Sequence, residues 1–159
     1  MILDALLKFS DSQAVTADAV GTNVIDLSLN RSIGNGEPMA AVFVVEVAAD
    51  QTTGDEDYTF DIEYATDAAQ TTGRQLIGRR VFESGTPTAP AQDADLLVAG
   101  FKIVIPIPPT QLSESAQYIG IRYDVAGTTP TITCSAFLTP LNMVESAFGV
   151  SYADGYTIS

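Results

Sequence analysis

The sequence contains no histidine and no tryptophan, and it has a single cysteine. Without histidine, a Ser-His-Asp or Cys-His catalytic arrangement and a His-ligated metal site are excluded. One cysteine allows no disulfide within the chain, and Cys134 is predicted to pack as a small apolar side chain. We find no catalytic constellation in the remaining residues, so we expect no enzyme activity, no cofactor and no metal ion.

Basic residues are also scarce, because the 159 residues include 7 Lys or Arg against 20 Asp or Glu, a formal net charge of −13. This balance argues against direct binding to nucleic acid or to an anionic membrane, which need a basic face, and it suits a basic partner. The longest apolar run, residues 39–45, is far too short to span a membrane. The first residues lack the basic region of a secretory signal, so we expect a protein made in a cytoplasm that stays soluble or joins an assembly there.

What the sequence does contain is a series of short segments in which apolar and polar residues alternate, separated by turns rich in Gly, Pro and Asp. Such alternation is typical of half-buried strands. The predicted strands span residues 23–29, 39–48, 58–65, 75–82, 96–107, 118–125 and 131–138, and residues 8–15 are extended. The last two strands are predicted to form a hairpin through the turn 126–130.

About eight short strands with almost no helical signal predict an all-β sandwich or barrel. We find no internal repeat and no linker, so residues 1–159 are predicted to form a single domain. Residues 83–95 are predicted to be a long exposed loop. Residues 1–15 are interpreted as an N-terminal arm and residues 139–159 as a C-terminal segment. Each of these terminal segments either docks on other chains or packs on its own domain.

The loop 50–57 carries four carboxylates, which are the oxygen ligands that Ca²⁺ prefers: Asp50, Asp55, Glu56 and Asp57. The EF-hand spacing is absent, so the favoured interpretation is a solvated hairpin tip. The glycine-rich turn 34–36 lacks the GxxxxGK[ST] pattern and is not interpreted as a phosphate-binding loop.

Two charged pairs lie on predicted strands. Asp61 and Glu63 are about 7 Å apart along one strand face, a separation seen in glycosidases, but any polar strand face carries such pairs, and the ordinary polar face is favoured. Arg79 and Arg80 are adjacent and therefore point to opposite faces of a strand. One is predicted to form a solvated ion pair with Asp61 or Glu63 across neighbouring strands, and the other to reach a partner.

Several segments of the chain resemble one known family. They are the opening MILDALLKFSDSQAVT, the segment GTNVIDLSL, the turn RSIGNGEP that begins at Arg31, the apolar strand that follows it, and the ending YADGYTIS. In these segments the chain resembles the capsid cement (decoration) proteins of tailed phages, a family that includes the cement protein of a Bordetella phage. The likeness lies mainly in residues 1–47, and it contains no catalytic motif.

The resemblance implies a jelly-roll-like antiparallel β-sandwich on the outer surface of an icosahedral phage head. Such a protein is a structural component of the virion, binds the major capsid protein and cements neighbouring subunits. The resemblance also implies a small homo-oligomer, with a homodimer favoured over a trimer. Arg31 and Glu37 are interpreted as a pair that braces the turn between them or as a contact at an interface.

A second function stays open, a non-catalytic carbohydrate- or receptor-binding β-sandwich of a phage or surface protein. Its evidence is four tyrosines that offer rings for stacking on sugars: Tyr58, Tyr64, Tyr118 and Tyr123. The absence of tryptophan counts against it. The residues that we predict as partner or oligomer contacts are Leu3, Leu6, Leu7, Phe9, Arg31, Glu37, Arg79, Arg80, Phe148, Tyr152 and Tyr156.

Overall fold

The computed structural model describes residues 7–27, 38–107 and 117–148, with the side chains of 145–148 excepted. Ten strands run through this part of the chain, and two sheets contain them all. The strands are β1 (Lys8–Val15), β2 (Ala19–Val20), β3 (Ile25–Asp26), β4 (Met39–Val47), β5 (Asp57–Ala65), β6 (Gln75–Glu83), β7 (Gln92–Asp93), β8 (Lys102–Ile107), β9 (Tyr118–Ala126) and β10 (Ile132–Pro140), followed by helix α1 (Leu141–Phe148).

The strand order identifies the winding of the sandwich. One sheet has the order β1-β10-β4-β8, and the other has the order β2-β9-β5-β6-β7, with β3 also pairing with β9. These strands include nested, antiparallel pairs: β1 with β10, β2 and β3 with β9, β4 with β8, and β5 with β6. Among the described strands, β7 alone pairs in parallel, with β6. Nested pairs divided between two sheets make a jelly roll, which confirms the predicted fold class.

The hairpin predicted from the last two strand patterns is wrong. β9 lies in the six-stranded sheet beside β5, whereas β10 lies in the four-stranded sheet between β1 and β4. The connection 127–131 therefore crosses from one sheet to the other. Ile132, Cys134, Ala136 and Leu138 are all buried, as their alternation predicted. A hairpin and a crossing bury the same residues, so the alternation could not distinguish them.

The strand predicted over residues 96–107 begins later than expected, at Lys102 in β8. A short 3-10 helix, Ala94–Leu96, precedes it, and the side chain of Asp93 caps that helix. Gly100 then turns the chain with a φ of 89°, in the left-handed region that glycine adopts without strain. Local hydrogen bonding therefore replaces the first half of the predicted strand.

Two further elements differ from the prediction. Of the strand predicted over residues 23–29, the described part forms β3 only at Ile25–Asp26. Helix α1 was not predicted at all, because the end of the sequence shows no clear period over so few residues. Its first residue, Leu141, donates its N–H to the carbonyl oxygen of Pro38 at 2.8 Å, which ties the start of the helix to the start of β4.

The first five residues of β4 are buried on both faces of the strand, and this explains the longest apolar run in the sequence. Ala41 and Phe43 point into the core between the sheets, while Ala40 and Val42 on the opposite face are equally inaccessible to solvent. Helix α1 packs against β4 and β10. Residues that are covered on both sides of a strand leave no polar face, so the sequence there is a continuous apolar run and does not alternate between apolar and polar residues.

Aromatic side chains from both sheets fill the centre of the core. Phe43 of the four-stranded sheet meets Phe60 and Tyr123 of the six-stranded sheet edge to face, at centroid distances of 5.3 and 5.8 Å. Tyr123 is buried, and its hydroxyl shares a 2.8 Å hydrogen bond with Oγ of Ser10 on β1. Burial without a charged partner raises the pKa of the Tyr123 hydroxyl, so its hydrogen bond holds β1 against the core with a neutral phenol.

Replacing Gly78 by alanine is expected to destabilise the protein by about 1–3 kcal/mol through overpacking. Gly78 lies on β6 where that strand faces β8 of the other sheet, and a Cβ atom there would be 2.4 Å from Cγ2 of Ile105. Urea unfolding followed by circular dichroism measures the loss. Ile105→Ala removes the obstructing methyl group, so the double variant is expected to lose less stability than the sum of the single variants. Strict additivity would contradict the proposed clash.

Candidate functional site

An ion-pair cluster covers the outer face of the six-stranded sheet. It consists of Asp61 and Glu63 on β5 and three arginines, Arg74, Arg79 and Arg122. Arg79 binds Asp61 in a bidentate way, with Nε–Oδ1 at 2.7 Å and Nη2–Oδ2 at 2.5 Å. The Asp61 side chain is fully buried, whereas Arg79 keeps 48% of its side chain exposed. The guanidinium therefore lies between the carboxylate and solvent.

Glu63 is held by two arginines from opposite sides. Arg74 forms a bidentate pair with it, with Nε–Oε2 at 3.0 Å and Nη2–Oε1 at 2.6 Å, and Arg122 Nε lies 3.4 Å from Oε2. Arg122 also donates from Nη2 to the carbonyl oxygen of Gln70 at 3.0 Å. Burial alone raises the pKa of the Glu63 carboxyl, but the hydrogen bonds and charges of Arg74 and Arg122 outweigh it and hold the pKa below its usual value.

The strand register brings this cluster together. Asp61 lies opposite Arg79 on β6 and opposite Arg122 on β9, so the central strand carries the acids and its two neighbours carry the bases. An irregularity in the β5–β6 pairing between Ile62 and Glu63 shifts the register beyond that point. Opposite charges at paired positions are the sheet equivalent of a helix i,i+4 pair, but here the acids are buried.

The sequence correctly predicted that one of the adjacent arginines pairs with Asp61 or Glu63, but only the arginine of this pair is solvated, whereas the whole pair was expected to be. Asp61 has no exposed surface because arginine side chains cover it. Arg80 does not join the cluster, and its Nη1 donates to the Arg79 carbonyl oxygen at 3.2 Å. The glycosidase interpretation finds no support here, because both carboxylates are committed to arginines rather than left free for proton transfer.

Two grooves border the ion-pair cluster. The larger, of about 560 Å³, has both basic and acidic lining residues, which include Arg74, Arg122, Asp57 and Asp124. Burial and the nearby Glu83 and Asp55 raise the pKa of Asp57. The smaller groove, of about 390 Å³, runs past Arg79 and Arg80 at the edge of the sheet. Both grooves are open to solvent, which suits contact with another protein surface better than enclosure of a small molecule.

The second notable region is one end of the sandwich, which we call the acidic end. It is formed by the connections 16–18, 48–56, 84–101 and 127–131, which the strand registers bring to the same end of both sheets. These connections contain six Asp or Glu residues and no Lys or Arg. The connections are drawn from distant parts of the sequence, so their shared charge becomes evident only in the fold.

Glu56 organises the acidic end, although its carboxylate was expected to be solvated. Its side chain is buried and accepts hydrogen bonds from the N–H groups of Thr53, Gly54 and Asp55 at 3.0, 2.9 and 3.1 Å, and from the Thr53 hydroxyl. The Thr53 hydroxyl bond is the main cause that lowers the pKa of this carboxyl, and the main-chain bonds add to it against the effect of burial. The loop thus folds around its own anion.

The neighbouring connections are fastened to this loop. Asp55 accepts from the N–H and the hydroxyl of Thr128 at 3.1 and 2.9 Å, and Ser84 donates its N–H to the Glu56 carbonyl oxygen at 2.9 Å. Gly127, with a φ of 98°, approaches so closely that a Cβ atom would be 2.3 Å from the Asp55 carbonyl oxygen. Three connections therefore form one braced surface.

The loop 50–57 was also considered as a Ca²⁺ site. Among the residues that the structure describes, no group of three or more acidic or cysteine side chains is arranged to hold a metal ion. The oxygens of Asp50, Asp55 and Glu56 instead accept hydrogen bonds from threonines and main-chain N–H groups of the loops. The same described ranges include no helix that is long and apolar enough to cross a membrane.

Most of the predicted contact residues lie outside the part of the chain that the structure describes. Leu3, Leu6, Arg31, Glu37, Tyr152 and Tyr156 lie outside the described residues, and Phe148 lies in α1, where its side chain is not described. Phe9 is fully buried within β1, and Leu7 packs partly buried against the same core. Residues 8–15 therefore pack on their own domain, and the side chain of Phe9 offers no surface to a partner.

The four tyrosines considered for sugar stacking do not form a platform. Tyr58 and Tyr123 are buried in the core, and only Tyr64 and Tyr118 keep part of their surface. The Tyr58 hydroxyl donates instead to the carbonyl oxygen of Asp50 at 2.5 Å, and burial raises its pKa to about 12. The sequence could not separate these roles, because all four residues lie on strands with the same alternation.

The described fold is an all-β jelly roll in which Asp61 and Glu63 are engaged in ion pairs and Asp55 and Glu56 brace loops. A model of the Bbp16 family matches residues 9–138, which span the sandwich from β1 into β10. The chain therefore belongs to the Bbp16 family. No curated protein matches it. The family name indicates a Bordetella phage protein and is consistent with a structural protein of a phage.

Replacing Glu63 by glutamine is expected to lower the free energy of unfolding at pH 7 by about 1–3 kcal/mol, because two arginines lose their shared anion. Arg74 keeps 40% of its side chain in water, which limits the loss. Because the folded pKa lies below the ordinary value of 4.5, the contribution of Glu63 is present above pH 4.5 and disappears as the pH falls through the folded value. Urea unfolding from pH 7 to pH 3 should therefore show the two proteins converging in acid. Asp11→Asn, at an exposed pair with Lys8, serves as the control and should change little.

Replacing Glu56 by glutamine is expected to loosen the acidic end without unfolding the sandwich. The amide presents one acceptor oxygen where the carboxylate presents two, so the N–H groups of Gly54 and Asp55 lose their acceptor Oε2 or the Thr53 N–H loses Oε1. Hydrogen exchange at these three amides should accelerate at least tenfold, while exchange in β5 stays unchanged. Equal protection of the loop in both proteins would contradict the bracing role of Glu56.

Proposed function

We propose that the protein is a capsid cement protein, which binds the outside of an icosahedral phage head and holds neighbouring major capsid subunits together. The observation that carries the proposal is the Bbp16 match, because it covers the sandwich itself rather than a peripheral segment. The resemblance of residues 1–47 and of the C-terminal segment to cement proteins of tailed phages supports the same role. The partners are the major capsid protein and further copies of this chain.

The structure supports a mechanical rather than a chemical role. Asp61 and Glu63 are bound to arginines, and Glu56 accepts hydrogen bonds from N–H groups of its own loop. These interactions rigidify the surface. A rigid domain that binds the assembled shell but not its free subunits stabilises the shell by mass action. A rigid surface loses little conformational freedom on binding, so more of the contact energy opposes separation of the subunits. We therefore propose a non-enzymatic clamp.

The purified protein is expected to co-sediment with expanded heads that lack it and to raise their melting temperature. At a free concentration of 100 times Kd, each occupied site contributes about 2.7 kcal/mol to the stability of the shell. Sedimentation and calorimetry of the heads measure the two effects, with unexpanded particles as the comparison. Retention on a glycan array without binding to heads would overturn the proposal in favour of a carbohydrate-binding module.

A further inference from the structure

The acidic end exposes an apolar patch. Val47, at the end of β4, is 59% exposed, and Leu96 and Val98, in the following connection, are 44% and 54% exposed. Among the described residues, only Leu76 and Met143 are other large apolar side chains with comparable exposure. Three of these five exposed side chains thus come from one end of the molecule, where water contact is unfavourable unless another surface covers them.

Main-chain hydrogen bonds show that the two segments that carry the patch are adjacent. The connection that carries Leu96 and Val98 runs antiparallel to the end of β4, because the Gly100 N–H donates to the Val45 carbonyl oxygen at 2.7 Å and the Ala49 N–H donates to the Leu97 carbonyl oxygen at 3.0 Å. Val47 lies between those two hydrogen bonds. The exposed side chains therefore come from adjacent, paired segments, not from separate loops that happen to be apolar.

Charge identifies the chemistry of the surface that fits this patch. The four connections around it contain six acidic and no basic residues, and Asp95 is next to Leu96 in sequence. The first basic residue after the connection 84–101 is Lys102, at the start of β8. A partner with acidic side chains would meet like charges along the rim, whereas basic side chains would meet complementary charge.

The patch is also built on a fixed support. Gln51 donates from Nε2 to the Ala94 carbonyl oxygen at 2.7 Å, which fastens the connection of Leu96 to the loop that Glu56 organises. The Asp50 N–H donates to the Thr131 carbonyl oxygen at 2.9 Å, which adds the crossing between the sheets. Loops that are fixed in this way lose little entropy when another surface covers them.

We propose that the acidic end is the face that docks on the capsid shell, and that its partner is a shell-protein segment with an apolar side chain flanked by basic residues. The apolar side chain packs on Val47, Leu96 and Val98, and the basic residues lie opposite Asp50, Asp93 and Asp95. The inference rests on the proposed cement function and adds the surface and the chemistry of contact. The ion-pair cluster is the less suitable face, because its acids and bases already satisfy each other.

The test compares variants for binding to expanded heads assembled without this protein, by quantitative co-sedimentation. Leu96→Ser combined with Val98→Ser is expected to weaken binding at least tenfold. Leu76→Ser removes an equally exposed side chain, 52% accessible, from the opposite end of β6 and should bind like wild type. Circular dichroism melting identifies any variant that has lost its fold. Hydrogen exchange of the wild-type protein bound to heads measures protection of the amides at the acidic end and needs no substitution.

The charged rim is tested separately. Asp95→Asn should weaken binding at low salt and reduce its dependence on ionic strength, whereas Asp11→Asn on β1 should change neither. The inference is overturned if the wild type binds heads, the Leu96→Ser, Val98→Ser variant binds them equally well, and the amides at the acidic end gain no exchange protection. That outcome leaves the cement function standing. Absence of wild-type binding to heads would overturn the cement function and the docking face with it.

Discussion

Nested strand pairing is the constraint on which the rest of the structure depends. Each long strand of the first half of the chain pairs with one from further along, and most connections therefore cross between the sheets at the two ends of the sandwich. At one end, four connections from distant parts of the sequence converge and bring their carboxylates together. Those connections contain no cation to balance the charge, so threonine hydroxyls and main-chain N–H groups stabilise the anions. The topology thus creates both the acidic surface and the need for its hydrogen-bonded support.

On the outer face of the six-stranded sheet, arginines rather than loop N–H groups stabilise the buried carboxylates. Asp61 and Glu63 are placed on the central strand, and the arginines come from β9, β6 and the connection before β6. Buried ion pairs add little net stability, but removal of one member leaves a charge without its partner. The cluster therefore favours one register among the strands β6, β5 and β9. Three of the five arginines in the sequence serve this purpose.

The sequence predicted burial well and connectivity poorly. The alternation on β5, β9 and β10 identified the core positions, because strand period and burial are directly linked. It could not show that β9 and β10 lie in different sheets, since a hairpin and a crossing bury the same side chains. It also missed the burial of Glu56, because a carboxylate that binds its own loop looks in sequence like any charged turn. The Asp61–Arg79 pair was predictable from charge and spacing, but its desolvation depends on the arginine side chains that cover it.

The pairing of β1 with β10 has a consequence for synthesis. Lys8 of β1 lies opposite Phe137 of β10, so β1 leaves the ribosome long before the strand that pairs with it has been made. Such long-range contacts raise the contact order and slow the final folding step. Meanwhile β4, which needs cover on both faces, has emerged without the strands that will flank it. A nascent chain with an uncovered apolar strand is prone to aggregation, and mutual repulsion from a net charge of −13 opposes that association until the sandwich closes.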